Sequence, residues 1–187
     1  MKNETLAQRL GTTAHISPLL MKARRLGLSA PEDFERLAVR RGCLYYDIRG
    51  DRRAGVGSPE VSVSRAELSN AELAIALLSD ALPSSLLRQR MAAAMLSAPD
   101  VDPSSLASLA QAENCAEILK YIAICGADVE PENDFWRAIL GNLEGIELPI
   151  HGMPHPTRFI EMTGITRGNV GIQKHWIRPA EFLASAP

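Results

Sequence analysis

Between Leu73 and Leu78 the chain reads LAIALL, six apolar residues with no polar side to offer to water. A segment that is apolar all round must be enclosed by other elements. Its alanines, its setting and the capping signals ahead of it favour a helix over a buried strand. Ser64 with Glu67 and, one turn later, Ser69 with Glu72 both have the spacing of a capping box. The pattern predicts a central helix over residues 66–81, starting from one box or the other, with the rest of the chain packed around it.

The helical pattern runs on to Leu143. After Pro83 a second helix is predicted over 84–97, with Leu87, Met91, Ala94 and Met95 on one face and Arg88 and Gln89 on the other. Asp102–Pro103 opens a short helix to about Ala112, Asp as cap and Pro in the first turn. Asn114, with Glu117 three residues on, predicts the cap of a helix that aligns Cys115, Ile118, Leu119 and Ile122 and stops at Gly126. Pro131 opens the last central helix, with Phe135, Ile139 and Leu143 on its apolar face and Trp136 and Leu140 adjoining. Short loops between such helices make antiparallel neighbours. The expected fold is mainly α: a multi-helix bundle or a short solenoid-like helical array, with no sequence period to establish a repeat.

Ahead of this centre, helices are predicted at 4–10, 18–26 and 31–41, the second capped by Ser17 with Pro18 in its first turn. Leu19, Leu20, Ala23, Phe34, Leu37 and Ala38 face inward. Lys22, Arg24 and Arg25 end the second helix, and Arg36, Arg40 and Arg41 lie on or near the outer face of the third. CLYYDI, 43–48, reads as a short strand. The following RGDRRAGVGSPE is an Arg- and Gly-rich loop that lacks the spacing and lysine of a P-loop. After Leu143 come EGIELPIHGMPHPTR, too rich in Pro and Gly for a helix, and two alternating segments, 157–163 and 170–177, around a glycine turn. These predict a small C-terminal β-hairpin anchored by Phe159 and Trp176. A lone hairpin is marginal, so it must lie on the helices or pair with CLYYDI. The chain then divides into a basic unit at 1–53, an acidic helical core at 54–147 and a connector plus hairpin at 148–187, packed as one domain. The core is expected to fold without the hairpin, though less stably.

The segment TLAQRLGTTAHISPLLMKARRLGL resembles a helix-turn-helix segment: Ala7 and Gly11 stand at the pattern's alanine and glycine, and Leu6, Leu10 and Leu20 at apolar positions. The resemblance implies nucleic-acid binding by residues 4–26. It departs at Ser17, where an apolar residue is expected, and at Pro18, which would fall inside the second helix. A helix starting at Pro18 leaves a turn too long for the motif.

Of 187 residues, 20 are Lys or Arg and 22 Asp or Glu, a net charge of −2 that is unevenly spread. Residues 1–53 carry 11 basic and 6 acidic side chains, residues 54–150 carry 5 and 14, and residues 151–187 carry 4 and 2. The basic start and acidic centre are expected to attract each other, or a partner. No stretch of about 18 apolar residues occurs, which argues against a membrane span, and the N-terminus lacks an apolar signal core. Cys43, Cys115 and Cys125 form no CxxC and read as small buried residues of a cytoplasmic protein.

Three functions compete. The first is a non-catalytic helical module that binds another protein or a second copy of itself, through Arg24, Arg25, Arg40, Arg41, Arg49, Arg52 and Arg53. The second is a nucleic-acid-binding regulator. The third is an enzyme with His151, His155, His175 and Glu161 or Glu147 as acid–base groups. His151 and His155 have the spacing of helical metal ligands, but Gly152, Pro154 and Pro156 exclude that helix, and neither metal nor cofactor is expected.

Overall fold

The computed structural model describes residues 17–43, 68–163 and 172–179. The predicted helix 4–10, the strand 43–48 beyond Cys43, the glycine loop and Arg49, Arg52 and Arg53 lie outside the described residues.

Seven helices are found among the described residues: α1 (Pro18–Arg25), α2 (Pro31–Arg40), α3 (Asn70–Leu78), α4 (Leu86–Met95), α5 (Pro103–Ala112), α6 (Ala116–Val129) and α7 (Asp134–Asn142). A single 3₁₀ turn, Pro156–Arg158, leads into β1 (Ile160–Thr163), which pairs antiparallel with β2 (Gln173–Trp176). The protein is thus mainly helical, with a two-stranded sheet near the C-terminus. α3 carries LAIALL, and all six of these residues are buried. It packs against α1, α2, α4 and α5, while α5, α6 and α7 pack on one another.

The boundaries differ from the sequence pattern where two signals competed. α3 starts from the second capping box: the Ser69 hydroxyl accepts from the Glu72 N–H, and the Glu72 carboxylate accepts from the Ser69 N–H. Leu68, in the turn before, is not helical but is buried in the core. Pro83 lies in the loop rather than in the first turn of α4, whose cap is Ser85. Pro131 likewise lies ahead of α7, which is capped by Asn133. Asn114 does not cap α6. It adopts a positive φ of 53° and ends α5, with Cys115 N–H bonded to Ala110 C=O and Asn114 N–H to Gln111 C=O, the Schellman pattern. Gly27 and Gly42 end α1 and α2 in the same way, at φ of 85° and 87°.

Gly126 does not stop α6, which runs on to Val129. Its role is lateral: a Cβ at this position would fall inside the Trp136 indole. Glycine lets α7 lay its tryptophan directly on the α6 backbone, and Trp136, Ile139 and Leu143 are fully buried there. The buried stripe of α7 is thus centred on Trp136 rather than on Phe135, which is half-buried.

The largest departure is α4. Arg88 and Gln89, expected on a polar outer face, are 6% and 5% exposed, and Met91 to Leu96 are buried without a break. α4 therefore lies between α3 and the C-terminal segment. There the Trp176 indole donates to the Ala93 carbonyl at 3.1 Å, one of the last-turn carbonyls that a helix leaves without an internal partner.

The strands are shorter than predicted because Thr157 and Arg158 belong to the 3₁₀ turn. Ile160 faces Trp176 and Met162 faces Lys174, so these four share one face of the sheet with Ile172. That face is buried at Trp176 and exposed at Met162 and Ile172. The other face pairs Glu161 with His175 and Thr163 with Gln173. Phe159 and Trp176, the expected anchors, are buried and stack with ring centroids 5.5 Å apart.

Candidate functional site

Two polar centres organise the interior. Glu113, the C-cap of α5, is fully buried. Its Oε1 accepts from the Leu19 N–H at 2.9 Å, and its Oε2 accepts from the Ser79 hydroxyl at 3.4 Å. The carboxylate therefore sits at the N-terminus of α1, beside N–H groups with no partner inside that helix. The Schellman turn at Asn114 directs it inward. Burial, with Glu113 and Asp80 nearby, pushes the neighbouring Cys115 thiol upward, so it stays protonated and unreactive. Burial also raises the Cys125 thiol.

The second centre is Glu130, after the end of α6. Its Oε2 accepts from Arg178 at 2.7 Å, from the Trp136 indole at 2.9 Å and from the Asn133 amide at 3.0 Å. Burial works to raise this carboxyl, but the bonds from Trp136, Arg178 and Asn133 and the Arg178 charge outweigh it, and the group ends below its ordinary range. This centre ties the segment that follows β2 to the α6–α7 turn.

Among the described residues, a recess of about 210 Å³ opens at the α3–α4 turn. Leu77, Leu82, Pro83 and Ile118 supply apolar wall, and Ser79, Asp80 and Gln89 supply polar groups. The Ser79 hydroxyl is committed to Glu113. Gln89 is almost wholly buried, yet its side-chain Oε1 has no hydrogen-bond partner among the described residues. Asp80 is exposed at the rim, and Leu86, in the first turn of α4, is 52% exposed. Among the described residues, no Lys, Arg or His lines the pocket.

The residues singled out from the sequence fall elsewhere. Arg24, Arg25 and Arg40 are exposed near the C-terminal ends of α1 and α2, where cations complement the helix dipole, and they make no ion pair among the described residues. Arg41 instead turns inward, its guanidinium donating to Asn70 Oδ1 at 2.7 Å and to the Leu68 carbonyl. α1 begins at Pro18, with the Ser17 hydroxyl accepting from the Leu20 N–H; the rest of the helix-turn-helix-like segment, residues 4–16, lies outside the described residues.

His175 and Glu161 are brought together as exposed cross-strand neighbours. His155 caps the 3₁₀ turn, its Nδ1 2.8 Å from the Thr157 hydroxyl. His151 and Glu147 are exposed in the connector. Among the described residues, no group of three or more His, Cys, Asp or Glu is placed to hold a metal ion, and no helix is long and apolar enough to cross a membrane. The sequence reading missed the pocket. Its only local signal was Gln89, a polar residue inside a helix that α3 and the C-terminal segment enclose.

No protein-family model matches this chain, and neither a curated protein nor a solved structure matches it.

Proposed function

We propose that this chain is a non-catalytic helical module that binds another protein, working in the reducing cytoplasm that its three buried cysteines, none in a disulfide, suit. The observation that carries the reading is the α3–α4 pocket, an apolar recess with a few polar groups beside an exposed Leu86. Its volume is below the 300–1,000 Å³ usual for small-molecule sites and fits a single anchoring side chain of a partner. The exposed Met162 and Ile172 on the hairpin offer a second apolar contact.

A photo-reactive p-benzoylphenylalanine at Leu86 tests this in cells of the source organism. The expected result is a discrete protein adduct that disappears when Asp80→Lys reverses the charge at the pocket rim. An adduct pattern indifferent to that substitution, or none, removes the reading.

A second reading, nucleic-acid binding, is favoured by the exposed Arg24, Arg25 and Arg40. Phosphate contacts give an affinity that falls steeply with salt. Duplex DNA titrated at two salt concentrations is expected to bind weakly. Tight, salt-sensitive binding lost in Arg24→Ala/Arg25→Ala would replace the first reading with this one.

A further inference from the structure

The main chain of the hairpin has an open side. Just beyond the two strands, the Ile177 N–H donates to the Phe159 carbonyl at 3.0 Å. Bonded and non-bonded positions alternate along an antiparallel pair. In the register of this hairpin, Glu161 and Thr163 therefore turn their main-chain groups toward β2, and Ile160 and Met162 turn theirs away from it. Among the described residues, these outward N–H and C=O groups have no hydrogen-bond partner, and the Glu161 carboxylate between them makes no hydrogen bond or ion pair.

We propose that the free edge of β1 takes an extended segment of a partner protein as a third strand, and that it selects the pattern apolar–basic–apolar. The inference rests on the protein-binding reading for the existence of a partner and gives that partner a contact with chemistry of its own.

The geometry fixes the pattern. Lying antiparallel on β1, the segment sets one residue opposite Ile160 and another opposite Met162, and each pair exchanges two main-chain bonds. Those two residues extend the face that carries Ile160, Met162 and Ile172. Met162 and Ile172 are each 51% exposed there, so burial favours apolar side chains. The residue between them projects from the other face, directly opposite the exposed Glu161, whose unpaired carboxylate favours a cation.

Two alternatives are disfavoured. The opposite edge belongs to β2, which packs on α6 and carries Lys174, a residue that discourages strand addition. β1, Ile-Glu-Met-Thr, has neither Lys nor Pro to guard it. A second copy pairing through Ile160 and Met162 would set two Glu161 carboxylates opposite each other, and like charges in that position repel.

The probe is the capped peptide Thr-Ile-Lys-Ile-Thr, titrated into the ¹⁵N-labelled full chain and followed by amide NMR. Saturable shifts are expected at Ile160 and Met162, whose N–H groups gain acceptors, with smaller ones at Glu161 and Thr163, already bonded to β2. Methylating both isoleucine nitrogens of the peptide should abolish binding, because those N–H groups face β1. Methylating the lysine nitrogen, whose N–H faces away, should leave binding intact. Replacing the peptide lysine by glutamate should weaken binding about two- to fivefold, the factor that one cross-strand pair supplies, and Glu161→Lys should reverse that order. Absence of saturable shifts at Ile160 and Met162, equal loss on methylating either set of nitrogens, or an order that Glu161→Lys leaves unchanged each overturns the proposal. The titration does not involve Leu86, so its failure with an intact Leu86 adduct removes only the edge, and its success without that adduct removes only the recess.

Discussion

The N-terminal unit, residues 17–43, and the C-terminal segment, residues 156–179, are attached to the same helical core by different forces. Both bury apolar side chains: Leu19, Leu20, Phe34 and Ala38 on one side, Phe159 and Trp176 on the other. Beyond that they diverge. The N-terminal unit makes its long-range polar contacts through charged groups. Leu19 N–H meets Glu113, Lys22 pairs with Glu72 at 2.6 Å, Arg41 reaches Asn70, and Glu35 pairs with Arg88 at 3.4 Å. The C-terminal segment is held by rings. Trp176 lies 4.8 Å from Trp136 and 5.5 Å from Phe159, and Phe159 meets Tyr121 edge-on at 6.4 Å. Its main-chain carbonyls are gripped as well, Arg158 by Arg90 and Pro154 by Tyr121. Ring burial is nearly indifferent to salt and pH, while charged attachments respond to both. Two pieces of similar size should therefore loosen under different conditions.

The largest expected effect breaks the aromatic side. Trp176→Ala removes a buried ring from between Trp136 and Phe159 and leaves the Ala93 carbonyl without its donor, so a loss of about 3–5 kcal/mol in urea unfolding is expected. A loss below about 1 kcal/mol would mean that the hairpin is only draped over the helices. The sequence suggested that the core folds without the hairpin. The burial of Trp136 beneath Trp176 makes that core incomplete, and a chain ending at Glu147 should melt well below the full chain.

A comparable effect is expected on the charged side, at a mostly buried ion pair. The Arg88 and Glu35 side chains are 8% and 13% exposed. Arg88→Ala removes one side of a mostly buried ion pair and should cost about 3–5 kcal/mol, the range for breaking such a pair. Double substitution to Arg88→Met/Glu35→Leu should recover much of the loss, and failure to recover it would show that packing around Arg88, not charge, dominates.

The acid branch of the stability profile sharpens the comparison, because Glu130 is the one ionised contact within the aromatic cluster. Its folded carboxyl lies below the reference value of 4.5. Such a group contributes stability fully above its unfolded value, and the contribution is lost as pH falls through the lower folded value. Urea unfolding measured from pH 6 down to pH 3 should show a shallower decline for Glu130→Gln than for the unaltered chain. Parallel declines would remove Glu130 from the account.

The smallest effect belongs to Lys22. Its pair with Glu72 is partly exposed, the side chains being 46% and 24% accessible. Lys22→Ala should cost at most about 0–1 kcal/mol, and the difference should vanish in about 1 M salt. A loss that persists at high salt would point to packing by the lysine stem instead.

Much of this architecture was legible in the sequence because it is local. LAIALL had to be enclosed, Ser17 and Asp102 had to cap helices, and the alternating segments around a glycine turn had to pair. Those inferences depend on the backbone's own hydrogen bonds and on periodicity, which a few neighbouring residues settle. Phe159 and Trp176 were legible as anchors for the same reason: large rings on a marginal hairpin must be buried. What only the tertiary structure decided were choices between locally equivalent options. Asn114 could begin α6 or end α5, and the inward course of Glu113 toward α1 selects the second. Gly126 could terminate a helix or admit a neighbour, and Trp136, from another helix, takes the space that a Cβ would fill. Arg88 and Gln89 looked like an outer face because a sequence pattern shows which residues share a side of a helix, not how many sides are covered. α4 is covered by α2 and α3 as well as by the C-terminal segment, so its polar residues are enclosed. That enclosure is what places an unpartnered glutamine oxygen beside the pocket at the α3–α4 turn.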